Sequence, residues 1–221
     1  MTSAAVKWAV VTDFDGTVSV KDVSDEICFH FKTASRAAIR RSYAPGVKVE
    51  DWVSASFGAI TAPRAEVEKF IFGFARPREG LAGFMKYCRR SAVPVEVASG
   101  GLDIYIAPLL QKWNMADVPF FCARVSEKKP AGYAVSYARL FKQAATVDEF
   151  KTLRVRRLQA KGYKVLFCGD GTSDFAAARQ ADAVFARYKL AGLCAKNGVK
   201  FKRLGDFGAV EKFLKEHNNA S

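Results

Sequence analysis

The stretch Val6-Lys7-Trp8-Ala9-Val10-Val11-Thr12-Asp13-Phe14-Asp15-Gly16-Thr17 decides how the chain is read. Val6 to Thr12 is short, apolar and rich in β-branched residues, the pattern of a buried strand, and it gives out at an acidic turn. Asp13 and Asp15 stand two residues apart just where the backbone leaves the sheet, and two like charges that close are costly without a cation. A hard cation such as Mg²⁺ takes oxygen ligands and commonly keeps waters, so it would relieve the repulsion and also bind a phosphate. Taken alone, the segment also reads as a polar turn after a strand, Asp being an ordinary turn former.

Three further apolar runs share the same plan. Val93 to Ala98 ends at Ser99-Gly100-Gly101, Tyr163 to Cys168 ends at Gly169-Asp170-Gly171, and Ala183 to Ala186 comes after a helix suggested by Asp174 to Gln180. Between them lie helical spacings, such as Leu81, Phe84, Met85 and Cys88, and Phe150, Leu153 and Leu158. Alternation of this kind predicts an α/β fold with a mainly parallel sheet covered on both faces, and ligands at the carboxyl ends of its strands. The first and second strands are about 80 residues apart, where a simple crossover needs a dozen or more. Something is inserted there. Its apolar spacings, Val23, Ile27 and Phe31, then Trp52, Val53 and Phe57, then Val67, Phe70, Ile71 and Phe74, predict several helices, with Pro77 and Gly80 marking the return. Phe120 to Tyr137 reads as a hairpin turning at Glu127 to Gly132, a candidate flap over the site.

The strand ends carry the chemistry. Gly169-Asp170-Gly171-Thr172-Ser173-Asp174 brings two more carboxylates, which face one way if a helix starts there. A turn plus a helix cap is the plainer reading of that segment alone. Ser99-Gly100-Gly101 offers a hydroxyl and open backbone N–H groups ahead of a helix expected from about Leu102, a setting suited to phosphate oxygens. A transferring phosphoryl group also needs a cation for its peripheral oxygens, and Lys151, placed in the first turn of the helix before the third strand, is the candidate.

These four elements in this order resemble the haloacid dehalogenase superfamily of aspartate-nucleophile phosphotransferases. Asp13-Phe14-Asp15-Gly16-Thr17 matches its first motif, Ser99 its second, Lys151 its third, and Gly169-Asp170-Gly171 with Asp174 its fourth. The resemblance implies a Rossmann-like core formed by residues 1–17 and 79–221, and a small helical C1 cap at 18–78 that closes over it. It implies Mg²⁺ held by Asp13, the carbonyl of Asp15, and Asp170, with Asp174 ligating directly or through water. Asp13 would attack phosphorus and Asp15 would act as acid and then base, while Ser99, the Gly100 amide and Lys151 hold the phosphoryl oxygens. Asp15 argues for phosphoryl transfer, since the family's dehalogenases lack the second aspartate. Lys32 and Lys48 are the lysines a phosphonate-cleaving relative would need in the cap, and they read as surface residues.

Within the family, Ser99 to Asp103 and the hairpin are similar to the phosphoserine phosphatase group, with Asp22 standing where that group has a glutamate that reads the substrate amine. Asp51 to Ile60 lacks the arginine which that group uses for the substrate carboxylate. Ala186 to Leu190, the strand before it and the Lys151 to Gly169 spacing look more like the methionine-salvage branch, which acts on 2-hydroxy-3-keto-5-methylthiopentenyl-1-phosphate. A phosphotransferase with an acceptor other than water is the alternative on the same scaffold. A non-catalytic phosphate-binding or nucleic-acid-binding module is the alternative outside it.

Composition bounds these readings. Of 221 residues half are apolar and 26% charged, as in folded proteins, and the net charge is +13. That charge favours anionic partners, whether phosphorylated metabolites, nucleic acid or acidic membrane surface, without choosing among them, and the resemblance implies a small phosphorylated metabolite. The basic residues are dispersed, with clusters at Arg36, Arg40, Arg41 and at Arg154, Arg156, Arg157 that read as solvated helix faces, and no nucleic-acid-binding signature accompanies them. No apolar run reaches the roughly 18 to 20 residues needed to cross a bilayer, and the first is too short for a secretory signal, so a cytoplasmic location is expected. Cys28, Cys88, Cys122, Cys168 and Cys194 are scattered without a CxxC pair, as reduced core thiols are.

Overall fold

The computed structural model describes residues 6–44 and 46–218. A seven-stranded sheet is centred on β1 (Trp8–Thr12), with β2 (Val95–Leu102), β3 (Phe120–Glu127) and β4 (Tyr133–Ser136) on one side and β5 (Lys164–Gly169), β6 (Ala183–Ala186) and β7 (Lys202–Arg203) on the other. All pairs are parallel except β3 with β4. All five residues of β1 are buried, because a central parallel strand is covered on both faces and needs a continuous apolar run.

The chain reverses its direction across the sheet at β1, between β2 and β5. That reversal is a switch point of the kind at which open α/β sheets bind ligands. Right-handed crossovers put the helices in two layers. One holds α5 (Leu81–Arg90), α6 (Asp103–Lys112) and α10 (Phe207–Asn218). The other holds α7 (Val147–Gln159), α8 (Phe175–Gln180) and α9 (Tyr188–Lys196), with α7 packed on β1, β2 and β5.

Between β1 and α5 lie four helices, α1 (Val23–His30), α2 (Arg36–Ser42), α3 (Val49–Gly58) and α4 (Arg64–Phe74). The two chain segments that lead out and back are paired, Val20 N–H donating to Arg76 O (3.0 Å) and Arg78 N–H to Val18 O (2.8 Å). Arg78 is buried and donates to the carbonyls of Gly16 (2.5 Å), Thr17 (2.6 Å) and Ser19 (3.1 Å), so the return segment holds the turn after β1. Gly80, at φ +77, begins α5.

Three expectations are corrected in detail. The second strand does not stop at Ser99 but continues to Leu102, since a shift of register between Ala98 and Leu102 lets the chain pass its glycines and pair again with Ala123. Lys151 sits on the second turn of α7 and not the first, because Thr146 caps the helix earlier by accepting from Glu149 N–H (3.2 Å), while Glu149 accepts from Ala145 N–H (2.6 Å). Arg154 is not on a solvated face: it is buried, pairs with Glu96, and lies 3.8 Å from the Phe121 ring centre. Arg156 and Arg157 are exposed, as expected. All five cysteines are free and buried, and burial pushes the Cys168 thiol far above its ordinary range. Among the described residues no helix is long and apolar enough to cross a membrane.

Candidate active site

Three strand ends meet at the switch point. β1 delivers Asp13 and Asp15, β2 delivers Ser99, Gly100 and Gly101, and β5 delivers Asp170 and, one turn on, Asp174. They line one cavity of about 80 Å³ with Lys151 of α7, roofed by Tyr43, Val49, Trp52 and Val53 of the helical insertion. Every residue expected to act on phosphate, metal or substrate lines it, Asp22 and Gly100 included.

Lys151 organises the floor. Its ammonium, 2% exposed, donates to Asp13 Oδ1 (2.7 Å) and Asp174 Oδ1 (2.6 Å). Burial works against that charge, but the two carboxylates more than offset it and hold Lys151 above its ordinary value. The other oxygen of Asp174 accepts from the N–H groups of Asp170 (3.0 Å) and Gly171 (2.9 Å), so a single-turn 3₁₀ segment, Thr172–Asp174, folds the carboxylate back on its own loop.

Asp15 has different company. Its oxygens accept from Val23 N–H (2.9 Å) and from Tyr105 O–H (2.6 Å), and among the described residues no cation hydrogen-bonds to it. Burial and then the charge of Asp22 push it up to about 8, with Tyr105 and Val23 pulling the other way. Glycine is obligatory beside it: a Cβ at Gly101 would lie 2.0 Å from Tyr105 Oη and 2.4 Å from Asp15 Oδ2. Gly16 combines φ +68 with a Cβ position 2.3 Å from Asp170 Oδ2, so the first turn can meet the β5 carboxylate only at a glycine.

The donor set fits a hard divalent cation. One carboxylate oxygen each from Asp13, Asp170 and Asp174 lies within 4.8 Å of the others. Burial and the neighbouring Asp13 and Asp174 push Asp170 well above the usual carboxylate range, and burial lifts Asp13 to about 7 despite Lys151. Six aspartates, counting Asp22 and Asp25, face one lysine in this cavity, an excess of negative charge that oxygen-seeking cations relieve.

Asp22 lies in the cavity but is occupied: it caps α1 by accepting from Asp25 N–H (2.8 Å) and accepts from Tyr43 O–H (3.1 Å), which also donates to Asp25 (2.6 Å). The expected flap braces this region, Tyr137 O–H donating to Gly100 O (2.6 Å) and Tyr133 O–H to Ala62 O (2.8 Å). Sequence reading missed Tyr105, Arg78 and Thr17, whose hydroxyl donates to Asp170 Oδ1 (3.2 Å). Thr17 lay within the quoted motif; Tyr105 and Arg78 left no signal, since each acts on residues about 60 to 90 positions away.

Comparison with known proteins agrees with this geometry. A 2-hydroxy-3-keto-5-methylthiopentenyl-1-phosphate phosphatase of Brevibacillus brevis is 27% identical over 214 residues, 95% of this chain and 96% of that one. A substrate-bound phosphoserine phosphatase complex superposes with TM-score 0.74 at 18% identity, covering 96% of this chain and 99% of the other. A phospho-aspartyl intermediate analogue of phosphoserine phosphatase gives 0.71 at 20% identity over 94% and 99%. Residues 10–179 match the haloacid dehalogenase-like hydrolases as a family, and with its strand-end carboxylates and buried lysine the chain belongs to that family of enzymes.

Proposed function

We propose that this hydrolase is a magnesium-dependent phosphatase that works through a phospho-aspartate at Asp13. The observation that carries the reading is the unlike company of two aspartates from one strand end: Asp13 is bound to the Lys151 ammonium, and Asp15 is held by an amide and a phenol. Environments that separate paired acids in this way assign one as nucleophile and the other as proton carrier.

Asp13 attacks phosphorus with the oxygen not committed to Lys151, and the bond from phosphorus to the leaving oxygen breaks. Asp15, protonated, gives its proton to that oxygen. The carboxylate left behind then takes a proton from water, whose oxygen attacks the phosphoryl group and frees Asp13 and inorganic phosphate. The Ser99 hydroxyl, the Gly100 N–H and Lys151 hold the peripheral oxygens. Asp13, the carbonyl of Asp15, and Asp170 would hold Mg²⁺, which when bound neutralises phosphate charge. Asp174, whose oxygens accept from Lys151 and from the Asp170 and Gly171 N–H groups, would support the metal directly or through a water.

The substrate proposed is 2-hydroxy-3-keto-5-methylthiopentenyl-1-phosphate, with the insertion at 18–78 as the cap that selects it. Supporting this is the name of the full-length relative, together with the character of the roof. Val49, Trp52 and Val53 are apolar, and among the described residues no lysine or arginine of the insertion lines the cavity. The carboxylate of phosphoserine would therefore face Asp22 and Asp25 with no cation to meet it. Phosphate release should favour the methylthio ester over phosphoserine by at least about tenfold in kcat/KM, stop with a chelator and return with Mg²⁺. A preference for phosphoserine would overturn the substrate, and turnover without a divalent metal would overturn the site.

A further inference from the structure

The cavity over Asp13 holds about 80 Å³, well below the roughly 300 to 1,000 Å³ of a site that encloses a whole small-molecule ligand. A leaving group of more than a few atoms has to extend beyond it. A second depression of about 580 Å³ adjoins, sharing Asp22, Asp25, Tyr43, Asp170 and Gly171 with the cavity and lined also by Gly16, the residue after Asp15.

Its outer wall carries Tyr188 and Val20, 64% and 44% exposed. Tyr188 has φ +42, a conformation a bulky residue keeps only where its surroundings over-determine it. Those surroundings are the strand end itself: Arg187 N–H donates to Gly169 O (3.2 Å) and Leu190 N–H to Asp170 O (2.9 Å), which ties the start of α9 to the backbone at the end of β5. The Arg187 guanidinium lies 4.1 Å from the Tyr188 ring centre, and its buried Nε has no partner among the described residues. The ring is thus held at the rim of the groove by the same backbone that positions Asp170.

Acidic groups outnumber basic ones along the groove, Asp22, Asp25, Glu26 and Asp170 against Lys21, Arg36 and Lys189. Lys21 and Arg36 pair with Glu26, and Lys189 lies 4.0 Å from the Tyr43 ring centre. A second anion would meet that acidic excess, whereas aromatic and aliphatic surface is open to an uncharged group. Resting on the phosphatase reading, the geometry points to Tyr188, with Val20 and Tyr43, as the site that takes an uncharged apolar tail of the leaving group, a thioether in kind, while the phosphate lies over Asp13. A thioether sulfur against an aromatic edge is a favourable contact of this sort.

The test compares phenyl phosphate with 4-(methylthio)phenyl phosphate. Dissociation constants are measured by calorimetry in Asp13→Asn protein, and turnover of both esters is measured in the protein with Asp13 intact. With Tyr188 present the methylthio ester should bind about tenfold more tightly, the scale of one apolar group in a pocket. Tyr188→Ala should bring the two within twofold while leaving phenyl phosphate unchanged, and Tyr188→Phe should keep the preference. Should the alanine variant not fold, Tyr188→Gly, which suits the positive φ, carries the same comparison. A preference that survives loss of the ring overturns the proposal, as does an equal loss for both esters. If the esters are not hydrolysed but the binding ratio follows Tyr188, the tail site stands and the phosphatase reading falls.

Discussion

The floor and the roof of the cavity satisfy their polar groups in different ways. On the floor, partners come from different strands and helices: Lys151 of α7 joins Asp13 of β1 to Asp174 beyond β5, and Tyr105 of α6 reaches Asp15. On the roof, Asp22, Asp25 and Tyr43 bond to one another within one insertion, and the rest is Ser24, Ser42, Val49, Trp52 and Val53. A group fixed by several rigid elements keeps its position to a fraction of an ångström, which charge movement in a reaction demands. A roof that satisfies its own polar groups presents shape and apolar area instead. Floor residues should therefore control kcat, and roof residues should control which ester is held.

The largest break in that contrast comes from Asp13→Asn. Turnover should fall by about 10⁴-fold or more, the scale for loss of a nucleophile, with folding intact because Asn fits the same buried space. Wild-type protein should also gain thermal stability from Mg²⁺, since a ligand that binds only the native state stabilises it. The variant should lose most of that gain. Melting curves with and without Mg²⁺ check both claims, and an active variant would remove Asp13 from the chemistry.

The floor was legible in the sequence and the roof largely was not, for a physical reason. Buried parallel strands must be continuous apolar runs, and the residues just past the end of each run must lie at the same edge of the sheet, so Asp13, Ser99 and Asp170 could be placed together without coordinates. Lys151 was found but placed a turn early, because the Thr146 and Glu149 capping pair went unread. Arg154 was misread as solvated, since its burial depends on Glu96 and Phe121, which other elements supply. The insertion's helices were visible by their spacing, but which of their faces meets the site depends on how α3 packs against the β3–β4 hairpin, a contact no local pattern encodes.

A smaller effect is expected at the roof. Trp52→Ala removes much of the roof's apolar area without touching the floor. KM for the methylthio ester should rise about tenfold with kcat within about threefold, the signature of lost uniform binding. Steady-state kinetics on that ester and on a compact one such as acetyl phosphate would separate the outcomes, the compact ester being little affected. A fall in kcat comparable to that of a floor variant would show that the roof takes part in positioning the phosphoryl group.

The smallest effect sharpens the floor itself. Asp15 must be protonated to supply the leaving oxygen, and burial places its titration at about 8, so kcat should decline as pH rises through that region. Tyr105 donates to the Asp15 carboxylate and so favours the charged form. Removing that donor with Tyr105→Phe favours the protonated form, so the alkaline limb should move up by a fraction of a pH unit while kcat on its plateau falls a few-fold. The same shift should be weaker with 4-nitrophenyl phosphate, whose leaving group needs little help from an acid. A limb that moved down, or that moved equally for both esters, would mean that the group titrating there is not Asp15, and the division of labour between the two aspartates would have to be redrawn.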